Sequence, residues 1–369
     1  MATHEVAIYA PCASSLYERS PRSTGGAEVQ ATVLARAMAE RGLRIAHIVY
    51  AVRDPVPPLG VALIARAPQR GHKRLIGKII EAGAVWRAMA RADADTYVFR
   101  TGSVELAFAA LFCRLRRRNL VFSTSAVADL TFEELSSGRR NLMLYRFGAH
   151  AADVVVVQTN EQLPMAHSAF PRAGWIERIP SFTEPVRYSS FPSDYFLWIG
   201  RLDGYKLPLE FVQLAQAVPE SRFKMVGVAG KGCDGSLRKS VFEAAEPLEN
   251  LELLPPLPRG EVLDLIDRAI AVVSTSRSEG LPNVFLEAWA RRVPVLSLGV
   301  DPDRVIERKG LGIVAGGSPQ ALARGARALS TDRALREHMG DAARRHVCGE
   351  HGTEAVGAQW HRLLMTLAR

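Results

Sequence analysis

Two glutamates eight positions apart, Glu279 and Glu287, bracket the run SEGLPNVFLEAWA at Ser278–Ala290. The run follows an apolar stretch, Ile270–Ser274, that reads as a buried strand, and a helix is predicted from about Asn283. The start of a helix offers unpaired backbone N–H groups and the positive end of its dipole, which together suit a phosphate. Glu279 in the strand-end loop and Glu287 in the early helical turns could accept hydrogen bonds from sugar or ribose hydroxyls flanking that anion. Neither carboxylate should touch the phosphate itself, because like charges repel. A second run, GRLDGYK at Gly200–Lys206, sets Arg201 and Lys206 just past another apolar strand. A guanidinium and an ammonium there could hold a diphosphate and stabilise it as it departs. A third, TGGAE at Thr24–Glu28, opens a long helix with two glycines, Gly25 and Gly26, that permit close backbone approach to a ligand.

Each run also has an ordinary explanation. Glutamate early in a helix is favourable by itself, Asn283 could serve only as a cap, and the loop charges could simply be solvated. The glycine loop lacks the spacing of the dinucleotide-binding fingerprint.

These runs need elements to hold them. Glu5–Ala10 reads as a strand, Ala27–Arg41 as a helix closed by Gly42, and Arg44–Tyr50 as the next strand. The same order restarts at Tyr195–Gly200, with a helix over Leu209–Ala217 and a strand at Phe223–Val228. Apolar runs at Leu251–Leu254, Ile270–Ser274, Val293–Leu298 and Gly312–Val314 continue the alternation, and the stretch from Arg333 is helical. Strands alternating with helices predict an α/β fold of two doubly wound parallel-sheet domains. The Pro- and Ser-rich stretch Pro180–Ser193 marks the boundary. Ligands of such sheets bind beyond the carboxyl ends of the strands, so two facing domains would share a cleft.

The chain has 369 residues and a net charge of +9, room for two ordinary cores. Residues 1–185 hold 23 Lys/Arg against 16 Asp/Glu, so most of the basic excess lies in the first half. Seven of these cations fall between Arg66 and Arg91, where Ile76, Ile79, Trp86 and Met89 interleave with them. Arg114 and Arg116–Arg118 form a denser group beside the apolar LAFAALFC. A basic helix with an apolar face suits an anionic membrane surface, although a solvated helix face has the same composition. No nucleic-acid module accompanies the charge. Cys12, Cys113, Cys233 and Cys348 are dispersed, which argues against a disulfide framework or zinc site and fits a reducing compartment. No secretory leader or spanning segment is evident, so a cytoplasmic chain, peripheral on a membrane at most, is expected. Asp93 and Asp95 have the spacing of a metal-binding carboxylate pair, but they precede a strand instead of following one, and no metal is assigned.

Taken together, TGGAE, VVVQTNEQ at Val155–Gln162, IGRLDGYK and the stretch from Ser278 to Gly299 resemble the retaining glycosyltransferases of family 4, with the two-domain GT-B fold. The resemblance runs along nearly the whole chain. It implies an N-terminal acceptor-side domain over 1–183, a nucleotide-sugar-binding domain over 184–345 and a last helix, 346–369, that returns to the first domain around Trp360. It also implies a metal-independent enzyme without cofactor, which moves a sugar from a nucleotide diphosphate to a hydroxyl of a glycan or lipid-linked acceptor. Arg201 and Lys206 would bind the donor diphosphate, and Glu279 would contact the transferred sugar. Gly280, Leu281 and Asn283 would line the pocket, and Glu287 would hold the ribose. Gly25 and Gly26 would approach the reacting end from the opposite domain. Two departures stand out. Relatives commonly place histidine after the fourth N-domain strand, where this chain has Arg100 or Thr101, and Pro282 removes a possible phosphate donor. A non-catalytic nucleotide-sugar binder or partner subunit of a transferase is the alternative left open.

Overall fold

The computed structural model describes residues 2–18, 25–67, 75–100, 102–132, 138–184, 186, 193–228 and 235–368. Thr24, Thr101, Cys233, the Arg70–Arg74 stretch and much of the boundary segment lie outside them. The chain divides into two compact units, Met1–Phe182 with Thr353–Arg369, and Thr183–Gly352.

The first unit is built on strands β1 (His4–Tyr9), β2 (Ile45–Tyr50), β3 (Val61–Arg66), β4 (Ala94–Arg100), β5 (Asn119–Ser123), β6 (Val154–Val157) and β7 (Trp175–Arg178). They form one parallel sheet in the order β3-β2-β1-β4-β5-β6-β7. Its helices are α1 (Gly26–Ala39), α2 (Leu75–Ala92), α3 (Glu105–Arg116), α4 (Ala128–Thr131), α5 (Arg139–His150) and α6 (Gln162–Ala169). The inner strands are buried on both faces, as the four valines of β6 show, so they read as unbroken apolar runs. One face carries Val85 and Met89 of α2, Leu106 and Phe112 of α3 and Tyr145 of α5. The other carries α1, with Val33, Leu34 and Met38. Gly42, at φ +85°, turns the chain out of α1 in the left-handed conformation that glycine adopts without strain.

The second unit holds β8 (Tyr195–Arg201), β9 (Phe223–Val228), β10 (Leu251–Leu254), β11 (Ala269–Ser274), β12 (Val295–Ser297) and β13 (Gly312–Val314). All pair in parallel, in the order β10-β9-β8-β11-β12-β13. Its helices are α7 (Pro208–Ala217), α8 (Gly235–Ala245), α9 (Arg259–Asp267), α10 (Asn283–Ala290), α11 (Val305–Lys309), α12 (Pro319–Thr331) and α13 (Arg333–Glu350). The final helix, α14 (Thr353–Leu367), belongs to the first unit, where Trp360 and Leu364 enter the core with α1. The expected pair of doubly wound parallel sheets is thus present.

Both sheets reverse direction at their first strand. The chain proceeds from β1 outward to β3 and then returns to lay β4 on β1's other side; β8 and β11 repeat the pattern. At such a switch point the loops after the two central strands part, leaving a crevice at the carboxyl edge.

Candidate functional site

The switch point of the second unit is where the conspicuous residues gather. Arg201 is the last residue of β8, and a short 3₁₀ turn, Gly204–Lys206, leads into α7. All six residues of β11 are buried, and the chain leaves it through Thr275–Pro282 before α10 begins at Asn283. Because β8 and β11 are paired, their exit loops are neighbours.

Several bonds stitch the two loops together. Thr275 Oγ1 donates to the Lys206 carbonyl at 2.7 Å and accepts from Trp198 Nε1 at 3.0 Å. The Arg277 N–H donates to the Tyr205 carbonyl at 2.9 Å. The ammonium of Lys206 forms an ion pair with Glu279, and both side chains are largely buried, at 19% and 14% exposure. Tyr205 joins Arg201 to this pair: its hydroxyl accepts from Arg201 Nη2 at 3.0 Å, and its ring lies 5.3 Å from the Lys206 ammonium. Arg201 also meets Asp203 at 2.9 Å while remaining half exposed. Four of these groups, Arg201, Tyr205, Lys206 and Glu279, therefore form one connected cluster.

The start of α10 faces the same edge. Pro282 occupies the capping position with φ −61°, a value its ring presets, and Asn283 is the first helical residue instead of the cap. Gly280 is buried, and Leu281 and Asn283 are partly so. Pro282 offers no side-chain cap to the helix, and Phe285 N–H bonds back to the Pro282 carbonyl at 3.0 Å. Phe285 and Trp289 anchor the helix in the core. Glu287 points elsewhere than its partner glutamate: its Oε1 accepts from Arg259 Nη1, at the start of α9, at 2.5 Å. Arg259 is thus the partner of Glu287, a cation that sequence reasoning did not single out.

Arg100 ends β4 in the first unit, where its Nη1 donates to Ser123 Oγ at 3.1 Å. Burial pulls the guanidinium down to about 10, opposed by the nearby charges of Asp129 and Glu28, so it remains a cation at neutral pH. Asp129 accepts from the backbone N–H groups of Gly102, Ser125 and Ala126, and so pins the loops after β4 and β5. Gly25 caps the start of α1 beside the Glu28 carboxylate, and Gly26 is the first helical residue.

Two sequence expectations resolve differently. Arg66 is not part of a basic surface: it is 1% exposed and ion-pairs with Glu81 and Glu105, both at 2.5 Å, beneath the rings of Tyr9 and Tyr50. Arg118 is likewise occupied, at 3.0 Å from Asp93 and 2.5 Å from Asp95, so that aspartate pair serves an ion bridge at the start of β4. Among the described residues no group of three or more His, Cys, Asp or Glu side chains is arranged to hold a metal.

Residues 190–346, within the second unit, match the family model described as Glycosyl transferases group 1. Glycosyltransferase 1 domain-containing protein 1 of Xenopus tropicalis is 25% identical over 184 residues, 49% of this chain and 53% of that protein. The match therefore spans about half the length of the relative. Sucrose-phosphate synthase from Thermosynechococcus elongatus superposes with a TM-score of 0.80 at 15% identity, covering 99% of each chain. HepE of Anabaena, solved with UDP and glucose, superposes with a TM-score of 0.78 at 17% identity, covering 98% of this chain and 100% of the other. The fold is that of the GT-B glycosyltransferases.

Proposed function

We propose that this chain, with its glycosyl transferases group 1 domain at residues 190–346, is a metal-independent, retaining hexosyltransferase of family 4. It moves a sugar from a nucleotide diphosphate to a hydroxyl of a glycan or lipid-linked acceptor. The observation that carries the reading is the joining of Arg201, Lys206 and Glu279 through Tyr205 at the β8/β11 switch point. Two cations linked to a carboxylate, beside a helix start where Pro282 offers no side-chain cap, suit a ligand that is anionic at one end and hydroxylated at the other.

In this reading Arg201 and Lys206 hold the diphosphate, and the first N–H groups of α10 share its charge. Glu279 turns its free oxygen to a sugar hydroxyl, Gly280, Leu281 and Asn283 line the pocket, and Glu287 takes the ribose hydroxyls. Gly25 and Gly26 are assigned to donor contact by the same reading. The bond between the anomeric carbon and the diphosphate breaks as the acceptor oxygen bonds to that carbon, and the acceptor proton passes to the departing phosphate. Charge develops on the leaving oxygen, so preorganised cations stabilise the transition state more than the ground state. The complex of HepE with UDP and glucose supports the donor class. A cytoplasmic setting fits the wide dispersal of Cys12, Cys113, Cys233 and Cys348 along the sequence.

The test is donor turnover by Lys206→Ala and Glu279→Ala. Both variants should lose most transfer, and undiminished transfer in both would discard the site. Donor binding without turnover across a broad acceptor panel would instead mark a non-catalytic binder.

A further inference from the structure

The sequence suggested two basic clusters in the first half of the chain, and the structure sorts them. Arg66 and Arg118 are sequestered in ion pairs, as described above. Arg70, Lys73 and Arg74 lie outside the described residues, whereas Arg114, Arg116 and Arg117 lie at the end of α3, on one helical layer with α2 and α5. Helices α2, α3 and α5 all bury one side against the same face of the seven-stranded sheet, through Val85 and Met89, Leu106 and Phe112, and Tyr145. Their opposite sides therefore look outward in the same direction. Helices α3 and α5 pack tightly together: a Cβ on Gly148 of α5 would meet the backbone of Leu106 and Ala107 at 2.5–2.6 Å.

The outward sides carry large apolar residues one helical turn apart. Leu111 and Leu115 of α3 are 48% and 64% exposed, and Met143 and Phe147 of α5 are 70% and 51% exposed. Arginines interleave with them: Arg114, Arg116 and Arg117 at the end of α3, and Arg139, Arg140 and Arg146 on α5 are all exposed. None of the six pairs with a carboxylate among the described residues. The one acid on these two helices, Glu105, is engaged by the buried Arg66. Glu133 and Glu134, in the connection ahead of α5, lie outside the described residues.

Single exposed apolar residues are ordinary, but four on two adjacent helices among six cations need a partner that is apolar and anionic at once. We propose that this face docks the chain on an anionic lipid bilayer. Guanidinium groups would engage lipid phosphates in pairs of hydrogen bonds, while Leu111, Leu115, Met143 and Phe147 enter the boundary between headgroups and acyl chains. Nucleic acid would satisfy the charges but offers nothing to two leucines and a methionine. Among the described residues no helix is long and apolar enough to cross a membrane. The binding is peripheral, reversible and weakened by salt. This inference does not depend on glycosyl transfer, and its test uses no donor.

The experiment is flotation of the full chain with vesicles, either of phosphatidylcholine alone or of equal parts phosphatidylcholine and phosphatidylglycerol. The chain should float with the mixed vesicles and not with the neutral ones. The triple variant Arg114→Gln, Arg116→Gln, Arg117→Gln should bind on the order of 100-fold less, at about fivefold per charge. The matching lysine triple should retain binding. Leu115→Ser with Phe147→Ser should cost at least about tenfold while unfolding at the wild-type temperature. The proposal is overturned if the wild type fails to float with anionic vesicles at low salt, or if the glutamine triple binds undiminished. Capture by a single-stranded RNA homopolymer but not by vesicles would likewise overturn it.

Discussion

The ammonium of Lys206 rests against the carboxylate of Glu279, 73 positions further along the chain. The pairing exists because β8 and β11 are neighbours in the sheet although β9 and β10 separate them in sequence. A largely buried ion pair of this kind contributes little net stability, because desolvation offsets attraction. In the proposed site its role is to hold both groups ready for a diphosphate sugar.

Lys206→Ala should therefore reduce transfer far more than it reduces stability. A loss of about 10²–10³ in kcat is expected, the range for removing one preorganised charge-stabilising group. Steady-state kinetics with a saturating donor checks this; a change confined to KM would assign Lys206 to binding alone.

Glu287 should behave differently. Its partner is Arg259, and its proposed ligand is the ribose, remote from the reacting bond. Glu287→Gln is expected to raise the donor KM about tenfold with kcat nearly unchanged, the signature of uniform binding. A comparable fall in kcat would move Glu287 into the chemical step.

Much of this arrangement was legible in the sequence. Buried parallel strands read as apolar runs, which is why β1, β8 and β11 and the loops that follow them stood out, and a helix start at Asn283 was evident from the pattern alone. Other parts left no local mark. Tyr205 and Thr275 act through an aromatic face and one hydroxyl, neither of which distinguishes them from any other tyrosine or threonine. Arg259 sits 28 residues before its partner, and only the packing of α9 beside α10 joins them. Strand β7 is exposed at alternate positions, so Trp175–Arg178 lacks the unbroken run. Arg66 read as one more surface cation because the carboxylates that bury it come from two separate helices.

That buried triad gives a stability prediction. Arg66→Met strands Glu81 and Glu105 without their counter-ion and should cost about 3–5 kcal/mol, read by urea denaturation. Adding Glu81→Gln and Glu105→Gln should recover much of the loss. No loss in the single variant would show that the triad is not held in the folded chain.

His47 gives a pH prediction. It is fully buried, its Nδ1 lies 2.5 Å from the Tyr17 hydroxyl, and burial pulls its imidazole down to about 3. The unfolded chain protonates this histidine near pH 6.5 while the folded one does not, so the contribution is lost as pH falls from about 6.5 toward 3, at about 1.4 kcal/mol per pH unit. Between pH 7 and 5 the wild type should lose about 2 kcal/mol more than His47→Gln. Parallel profiles for the two proteins would contradict the assignment.

Metal independence is tested by chelation. Transfer should proceed unchanged in excess EDTA, since the proposed site stabilises the leaving diphosphate with Arg201, Lys206 and the start of α10. Loss of activity restored by a divalent cation would refute that part of the proposal.

The most direct measurement for the whole reading is a thermal-shift series with nucleoside diphosphates and their sugars, run on the wild type and on Arg201→Ala/Lys206→Ala. A ligand that binds only the folded chain raises its melting temperature by mass action. At least one nucleoside diphosphate should stabilise the wild type and leave the double variant unmoved. An equal shift in both proteins, or none in the wild type with any of the series, would contradict the claim that these two cations gather a diphosphate at the β8/β11 crevice.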